Sequence, residues 1–166
     1  MDKDILQKYY DFVKNHISKR DFDDLHRCYV LEISTLSRLY VKDRWFTDKP
    51  DLVQKQLINQ IGRVLYIVFQ IKIKFAYQDQ DDYRVNRIID SRSNIFHCED
   101  NHLNLCDLLA IADEFLRYRL SDNPQFYFEV DTNYLIVSLA DFAENIGSSL
   151  KAVINKNIEN STKKHG

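Results

Sequence analysis

The sequence predicts an all-α fold, a helical bundle of about five helices, two of them long. The 166 residues include only three Gly and two Pro, too few for the tight turns that many short strands require. Apolar residues recur at intervals of three and four along most of the chain, which is the period of a helix that buries one face. No two neighbouring segments alternate in the manner of paired strands.

Length and composition predict one domain. With 45% hydrophobic and 29% charged residues, the chain can bury a single core and does not have the composition of a disordered polymer. We expect a single helical domain over residues 1–158. The polar residues 159–166 are expected to form a flexible C-terminal tail.

Three helices are predicted in the first half of the chain. The first covers residues 4–18, and the second covers about 22–45 with Asp21 as its N-terminal cap. Pro50 marks the start of the third helix, because proline is favoured in the first turn. This helix runs to Tyr77 with apolar residues spaced by 4, 3, 4, 3 and 4 positions. At about 1.5 Å per residue it forms a rod of roughly 40 Å.

The second half is predicted to hold a short element and two further helices. The short element covers residues 83–98, and the next helix carries apolar residues from 105 to 115 before the SDNP sequence ends it. Residues 125–130 alternate weakly and are expected to form an extended connection. The last helix is expected over about 131–153. The carboxylates of these two helices are expected to face solvent: Asp113, Glu114, Asp141 and Glu144.

Charge and cysteine usage limit the partners and the compartment. A formal net charge of −2 provides no attraction of the whole surface to phosphate backbones, so any contact with nucleic acid must be local. Cys28, Cys98 and Cys106 have no CxxC spacing, which favours a reducing compartment. No apolar run is long enough to cross a bilayer. We therefore expect a cytoplasmic protein with no membrane partner.

The segment DSRSNIFHCED (90–100) holds the candidate catalytic pair, with Arg92 five positions before His97. An imidazole titrates near neutral pH and can move protons, whereas a guanidinium stays charged and can hold a phosphate through parallel hydrogen bonds. Spacing alone is a weak signal, because Arg20 and His26 are spaced similarly. Arg92 has a distinctive context, since it ends an apolar helix face and precedes a capped, amphipathic helix.

Residues 88–120 resemble the C-terminal half of a HEPN domain, a helical bundle whose signature is Arg, a polar residue, then His four to six residues beyond the Arg, followed by a helix. Residues 26–42 are similar to an earlier long HEPN helix, so the resemblance covers about residues 22–120. The chain departs from the family at Ser93, where Asn, Asp or His is usual. A hydroxyl group can still form hydrogen bonds at that position.

The resemblance implies a HEPN-like, metal-independent endoribonuclease, or an inactive relative of one, without a cofactor. It implies a homodimer in which the Arg/His sets of both protomers face a shared cleft that binds RNA. A protein antitoxin or regulator is a further expected partner, in a toxin–antitoxin or phage-defence setting. The implied catalytic residues are Arg92, His97 and Ser93, with Ser93 or Asn94 orienting the imidazole.

A candidate RNA-binding edge lies just upstream of the pair. Tyr83, Arg84 and Arg87 combine an aromatic ring with two guanidinium groups, and Asn94 adds an amide. Aromatic and basic side chains together bind single-stranded RNA through stacking and charge. The alternative is that these residues form the solvated side of a short helix.

A second resemblance is to MazG-type nucleotide pyrophosphohydrolases, which bind Mg²⁺ through acidic residues on two facing helices. Residues 30–40 and 57–71 are similar to those paired helices. Glu32 is retained, but Thr35 and Arg63 stand where further acids are expected. A lone carboxylate beside a guanidinium does not hold Mg²⁺, so this resemblance implies at most an inactive relative.

The sequence allows two other interpretations, a zinc site and a protein-binding adaptor. Cys98, His102 and Cys106 would stack as zinc ligands if one helix ran through them, but the EDN sequence at 99–101 is expected to break that helix, and we predict no metal. Alternatively, the bundle is a non-enzymatic adaptor with a protein-binding face. In that interpretation Arg92 forms a surface salt bridge with Asp90 or Glu99, and His97 is half-buried beside Phe96.

Overall fold

The computed structural model describes residues 1–45, 48–78 and 81–165. Within these residues the chain is helical throughout and contains no strand, so the predicted all-α bundle is confirmed. There are seven helices in the described residues, where about five were predicted. They are α1 (Lys3–Asn15), α2 (Phe22–Trp45), α3 (Pro50–Phe75), α4 (Asp81–Asn94), α5 (Asn101–Tyr118), α6 (Pro124–Asn145) and α7 (Leu150–His165).

The first three helices begin and end close to their predicted positions. Asp2 caps α1 by accepting hydrogen bonds from the backbone N–H groups of Asp4 and Ile5, which satisfies donors that a helix leaves unpaired. Pro50 occupies the first turn of α3, as predicted. Helix α3 contacts α1, α2, α6 and α7, and its long buried face places it at the centre of the bundle.

The segment 125–130 is helical and not extended, which corrects the prediction. Asn123 caps α6, since its side chain accepts a hydrogen bond from the N–H of Phe126, and Pro124 occupies the first turn. The SDNP sequence therefore starts a helix as well as ending one. The weak alternation of residues 125–130 misled the prediction, because these residues form the first turns of a helix whose outer face carries Phe126, Tyr127 and Val130.

Gly147 divides the predicted last helix into α6 and α7. Its φ of +82° lies in the left-handed region that glycine adopts without strain. The N–H of Ser148 donates back to the carbonyl of Ala143 at 2.9 Å, which closes the end of α6. Helix α7 then continues to His165, so residues 159–165 are helical where a tail was predicted.

Close packing of α7 on α3 depends on a second glycine. A Cβ atom at Gly62 would lie 3.2 Å from Cβ of Asn157, which is tighter than ordinary van der Waals contact. Asn157 in turn accepts a hydrogen bond from the hydroxyl of the fully buried Tyr9 at 2.8 Å. This contact connects α1, α3 and α7 at one place.

A charged network lies inside the bundle between α3 and α6. Lys72 is fully buried, and its ammonium group donates to Glu129 Oε1 at 2.8 Å and to Asn133 Oδ1 at 2.7 Å. Arg87 of α4 approaches the same Glu129 oxygen at 3.4 Å. Buried charges of this kind are tolerated only when paired.

Replacing Lys72 by Met is expected to lower the free energy of unfolding by about 3–5 kcal/mol, because the Glu129 carboxylate then stays buried without its main partner. A Lys72→Met/Glu129→Leu double variant should recover most of that loss, since it removes both charges. Urea unfolding measures both quantities. A single variant as stable as the wild type would contradict the described network.

The same lysine predicts a pH dependence of stability. Burial lowers the pKa of Lys72 from 10.5 to about 8, so between these values the unfolded chain binds the proton more tightly than the folded one. The contribution of Lys72 to the free energy of unfolding therefore rises as pH increases from 8 to 10.5. The difference between wild type and Lys72→Met, measured by urea unfolding across this range, should show that slope; a flat difference would contradict it.

Candidate functional site

Arg92 and His97 lie side by side at the protein surface. Arg92 is in the last turn of α4, and His97 lies in the loop between α4 and α5. Nη2 of Arg92 is 3.2 Å from Nδ1 of His97. Their side chains are 23% and 31% exposed, so both are accessible to a ligand. The structure therefore brings together the pair that the sequence singled out.

Asp141 of α6 holds this pair in place. Its carboxylate is buried, at 2% exposure. Oδ1 accepts a hydrogen bond from His97 Nδ1 at 2.8 Å and lies 3.2 Å from Arg92 Nη2, while Oδ2 accepts from the backbone N–H of Cys98 at 3.0 Å. Because Nδ1 carries a hydrogen and donates it to the carboxylate, it cannot also accept a hydrogen bond from Arg92. Arg92 and His97 are therefore close but not hydrogen-bonded to each other. Both bind Asp141.

Asn145, one helical turn beyond Asp141, faces the other ring nitrogen. Its amide nitrogen donates to the carbonyl of Cys98 at 2.8 Å and to Oδ1 of Asn101 at 2.9 Å. These bonds leave its Oδ1 directed at His97 Nε2, at 3.2 Å. A doubly protonated imidazole donates to acceptors on both sides. The ring is thus held by two residues of α6.

Neither Asp141 nor Asn145 was predicted from the sequence to be part of the site. Asp141 was expected to face solvent and is buried, which corrects that prediction. The available signal was its position inside the apolar run LIVSLADFA (135–143), since a carboxylate flanked by core residues needs a partner. Asn145 follows at i+4 on the same face, but a lone amide there gives no comparable signal.

Among the described residues, neither Ser93 nor Asn94 forms a hydrogen bond to the imidazole of His97. Ser93 Oγ donates to the carbonyl of Ile89 at 3.3 Å, and the Asn94 amide donates to the carbonyl of Asp90 at 3.0 Å. Both side chains therefore bond to the backbone of their own helix, one turn earlier, as such residues commonly do. The orienting role assigned to them is filled by Asp141 and Asn145.

The candidate RNA-binding edge is only partly exposed. Tyr83 is 58% exposed, and Arg87 is half-buried with its guanidinium 5.6 Å from the centre of the Tyr77 ring. Arg84 is buried, at 3% exposure, and donates to the hydroxyl of Tyr10 and to Gln78 Oε1. Arg84 therefore cannot contact RNA, because it lies on the same face of α4 as buried Ile88.

Two depressions flank the site. The first, of about 630 Å³, is lined by Asn145 and Glu99 on the side of the site and by Tyr40, Arg44 and Gln54 on the side of α2 and α3. The second has a volume of about 470 Å³ and lies between α4 and α6. Its lining includes Tyr77, Arg87, Asn94, Phe126 and Tyr134. Both have the size of ordinary ligand pockets.

Among the described residues, one cluster of three side chains could bind a metal ion. His97, Asp141 and Glu144 each contribute an atom within 4.8 Å of the others, and Glu144 Oε2 lies 3.5 Å from His97 Nδ1.

The zinc ligands considered from the sequence, Cys98, His102 and Cys106, do not lie on one helix, because α5 begins at Asn101 and Cys98 precedes it. Glu32, from the MazG resemblance, accepts hydrogen bonds from Gln60.

Comparison with family models, curated proteins and solved structures finds no match to this chain. The HEPN and MazG resemblances therefore stay predictions from the sequence. Within the described residues, no helix combines the length and apolar character that a membrane crossing demands.

Replacing Asp141 by Asn is expected to release His97 and destabilise the protein by about 1–3 kcal/mol, because buried donors lose a charged acceptor. Nitrogen-15 NMR of the imidazole should show a protected His97 Nδ1–H in the wild type and rapid exchange in the variant. Asp113→Asn, on an exposed carboxylate paired with Arg117, is the matched control. Unchanged protection in Asp141→Asn would contradict the described contact.

Proposed function

We propose that this protein is a HEPN-like, metal-independent endoribonuclease in which Arg92 and His97 act on one phosphodiester. The observation that carries the proposal is that a guanidinium and an imidazole lie together at the surface, both held by the buried Asp141 carboxylate. A surface salt bridge with Asp90 or Glu99 was the alternative for Arg92. The guanidinium instead contacts the buried carboxylate of Asp141. A buried partner holds a side chain in one position, which is what a catalytic group requires.

The chemistry follows from the ring's hydrogen bonds. Asp141 binds Nδ1 and fixes the orientation of the imidazole, as the carboxylate does in a Ser-His-Asp triad. Nε2, whose contact with Asn145 Oδ1 at 3.2 Å is exposed, is then the nitrogen that exchanges a proton with substrate, and the substrate oxygen would replace that amide oxygen. Doubly protonated His97 donates that proton to the leaving 5′-oxygen; the neutral ring instead accepts one from the 2′-hydroxyl.

The reaction requires no external reactant. The 2′-oxygen forms a bond to phosphorus, the bond from phosphorus to the 5′-oxygen breaks, and the proton lost by the 2′-hydroxyl balances the proton gained by the 5′-oxygen. The products are a 2′,3′-cyclic phosphate and a 5′-hydroxyl end. Arg92 stabilises the negative charge that develops on the phosphoryl oxygens.

A homodimer would supply both an acid and a base to one RNA strand. Within one protomer, the carboxylates of Asp141 and Glu144 lie near Arg92 and offset its charge. Two protomers facing a shared cleft bring two guanidinium groups and two imidazoles to the same strand, and one imidazole can serve as base while the other serves as acid. Tyr83 and Arg87 extend the contact along the RNA. A protein antitoxin or regulator that covers the cleft would block activity.

The test is cleavage of labelled RNA in EDTA by the wild type, Arg92→Ala and His97→Ala. Each variant should lose about 10²- to 10⁴-fold in rate, the usual contribution of a charge-stabilising group or a general acid. Arg117→Ala and His102→Ala change the same residue types at exposed positions of α5 and should retain activity. The cleaved ends should carry 5′-hydroxyl groups.

Cleavage that persists in both Arg92→Ala and His97→Ala would remove these residues from the mechanism. Light scattering provides an independent check, because a strict monomer cannot build a shared cleft. Circular dichroism of each variant establishes that lost activity does not reflect lost folding.

The second candidate function is a protein-binding adaptor, which exposed apolar side chains favour. Phe96 is 96% exposed beside the site, and Leu120 is 91% exposed at the end of α5. Leu103, Leu109 and Leu116 are also exposed on that helix. Absence of RNA cleavage under every condition, together with a stable partner recovered from cells, would favour this function.

A further inference from the structure

His97, Asp141 and Glu144 have the separations of ligands around one transition-metal ion. Nδ1 of His97 is 2.8 Å from Asp141 Oδ1 and 3.5 Å from Glu144 Oε2, and all three atoms lie within 4.8 Å of one another. Zinc binds nitrogen and carboxylate oxygen at about 2.0–2.2 Å in a tetrahedron. Neighbouring ligand atoms in such a tetrahedron are roughly 3.4 Å apart, so small side-chain shifts accommodate the ion.

The residues around these three complete the arrangement of a metal site. A metal-bound histidine almost always donates its other ring N–H to a fixed acceptor. Asn145 Oδ1 lies 3.2 Å from His97 Nε2, and its amide nitrogen is bound to the carbonyl of Cys98. Asp141 Oδ2 accepts the N–H of Cys98, so Oδ1, which now contacts His97 and Arg92, is the oxygen that would coordinate the ion. These contacts lie outside the ligand set and would orient two of its members.

Arg92 competes with a metal for the same carboxylate oxygen. Its Nη2 lies 3.2 Å from Asp141 Oδ1, and a divalent cation at that position would repel the guanidinium. Because Arg92 is partly exposed in the last turn of α4, its side chain can turn into solvent. Metal binding and the arrangement of Arg92 and His97 described above therefore exclude each other.

We propose that His97 Nδ1, Asp141 Oδ1 and Glu144 Oε2 form an inhibitory site for one Zn²⁺ ion. One nitrogen and two carboxylate ligands favour zinc over Mg²⁺ and Ca²⁺, which prefer oxygen alone. When the ion binds, the Nδ1 proton is released to solvent and Nε2 keeps its own. The ring is then no longer an imidazolium, so it is a much weaker acid, and with Nε2 protonated and Nδ1 bound to the metal it has no nitrogen left to act as the base. Arg92 is displaced as well. The inhibition rests on the proposed ribonuclease function, whereas the binding of zinc does not.

Calorimetric titration with ZnCl₂, without RNA, tests the site. The protein carries Cys98→Ser and Cys106→Ser, so that these thiols do not bind the ion. One Zn²⁺ per chain is expected, with affinity at least about tenfold lower in Glu144→Gln, since loss of an outer contact alone costs 10- to 100-fold. Glu99→Gln, an exposed glutamate in the neighbouring loop, should bind like the parent. Arg92→Ala should bind more tightly, because the competing cation is gone.

Equal zinc affinity in the parent and Glu144→Gln, or unchanged affinity in Arg92→Ala, would overturn the site. The RNA assay then separates binding from inhibition. Zinc should slow cleavage by the parent and by Glu99→Gln at concentrations that leave Glu144→Gln active. If zinc binds as expected but metal-free protein cleaves no RNA, the metal site stands and the ribonuclease function fails.

Discussion

The buried carboxylate of Asp141 is the interaction on which the surface site depends. It binds three donors from one stretch of chain: the guanidinium of Arg92, the imidazole of His97 and the backbone N–H of Cys98. These donors span the end of α4 and the loop that follows. A single negative charge on α6 therefore fixes the end of α4 and the loop that follows it, together with the side chains of Arg92 and His97.

That arrangement also sets the electrostatics of the site. Asp141 is paired with the guanidinium of Arg92, and Glu144 adds a second, exposed carboxylate. An anion approaching the site therefore meets almost balanced charge. The same carboxylates attract cations that compete with Arg92. The catalytic proposal and the zinc proposal are thus two consequences of one shared oxygen atom, Asp141 Oδ1.

Local sequence patterns were sufficient for most helices but not for the contacts between them. The bounds of α2 and α3 follow from apolar spacing and from Pro50, which act within one segment. The pairing of Arg92 with His97 was also predictable, since five positions separate them. Asp141 lies 44 positions beyond His97, and no local rule connects them. The burial of Arg84 was unpredictable for a similar reason, because its partner, Tyr10, comes from a helix distant in the sequence.

A crystal structure with a short RNA whose 2′-hydroxyls are methylated, so that cleavage cannot proceed, tests the proposed site most directly. We expect the scissile phosphate within hydrogen-bonding distance of the Arg92 guanidinium, with the 2′- or 5′-oxygen of that linkage beside Nε2 of His97. Asp141 should still contact Nδ1. RNA bound elsewhere on the protein, with Arg92 and His97 away from any phosphate, would contradict it.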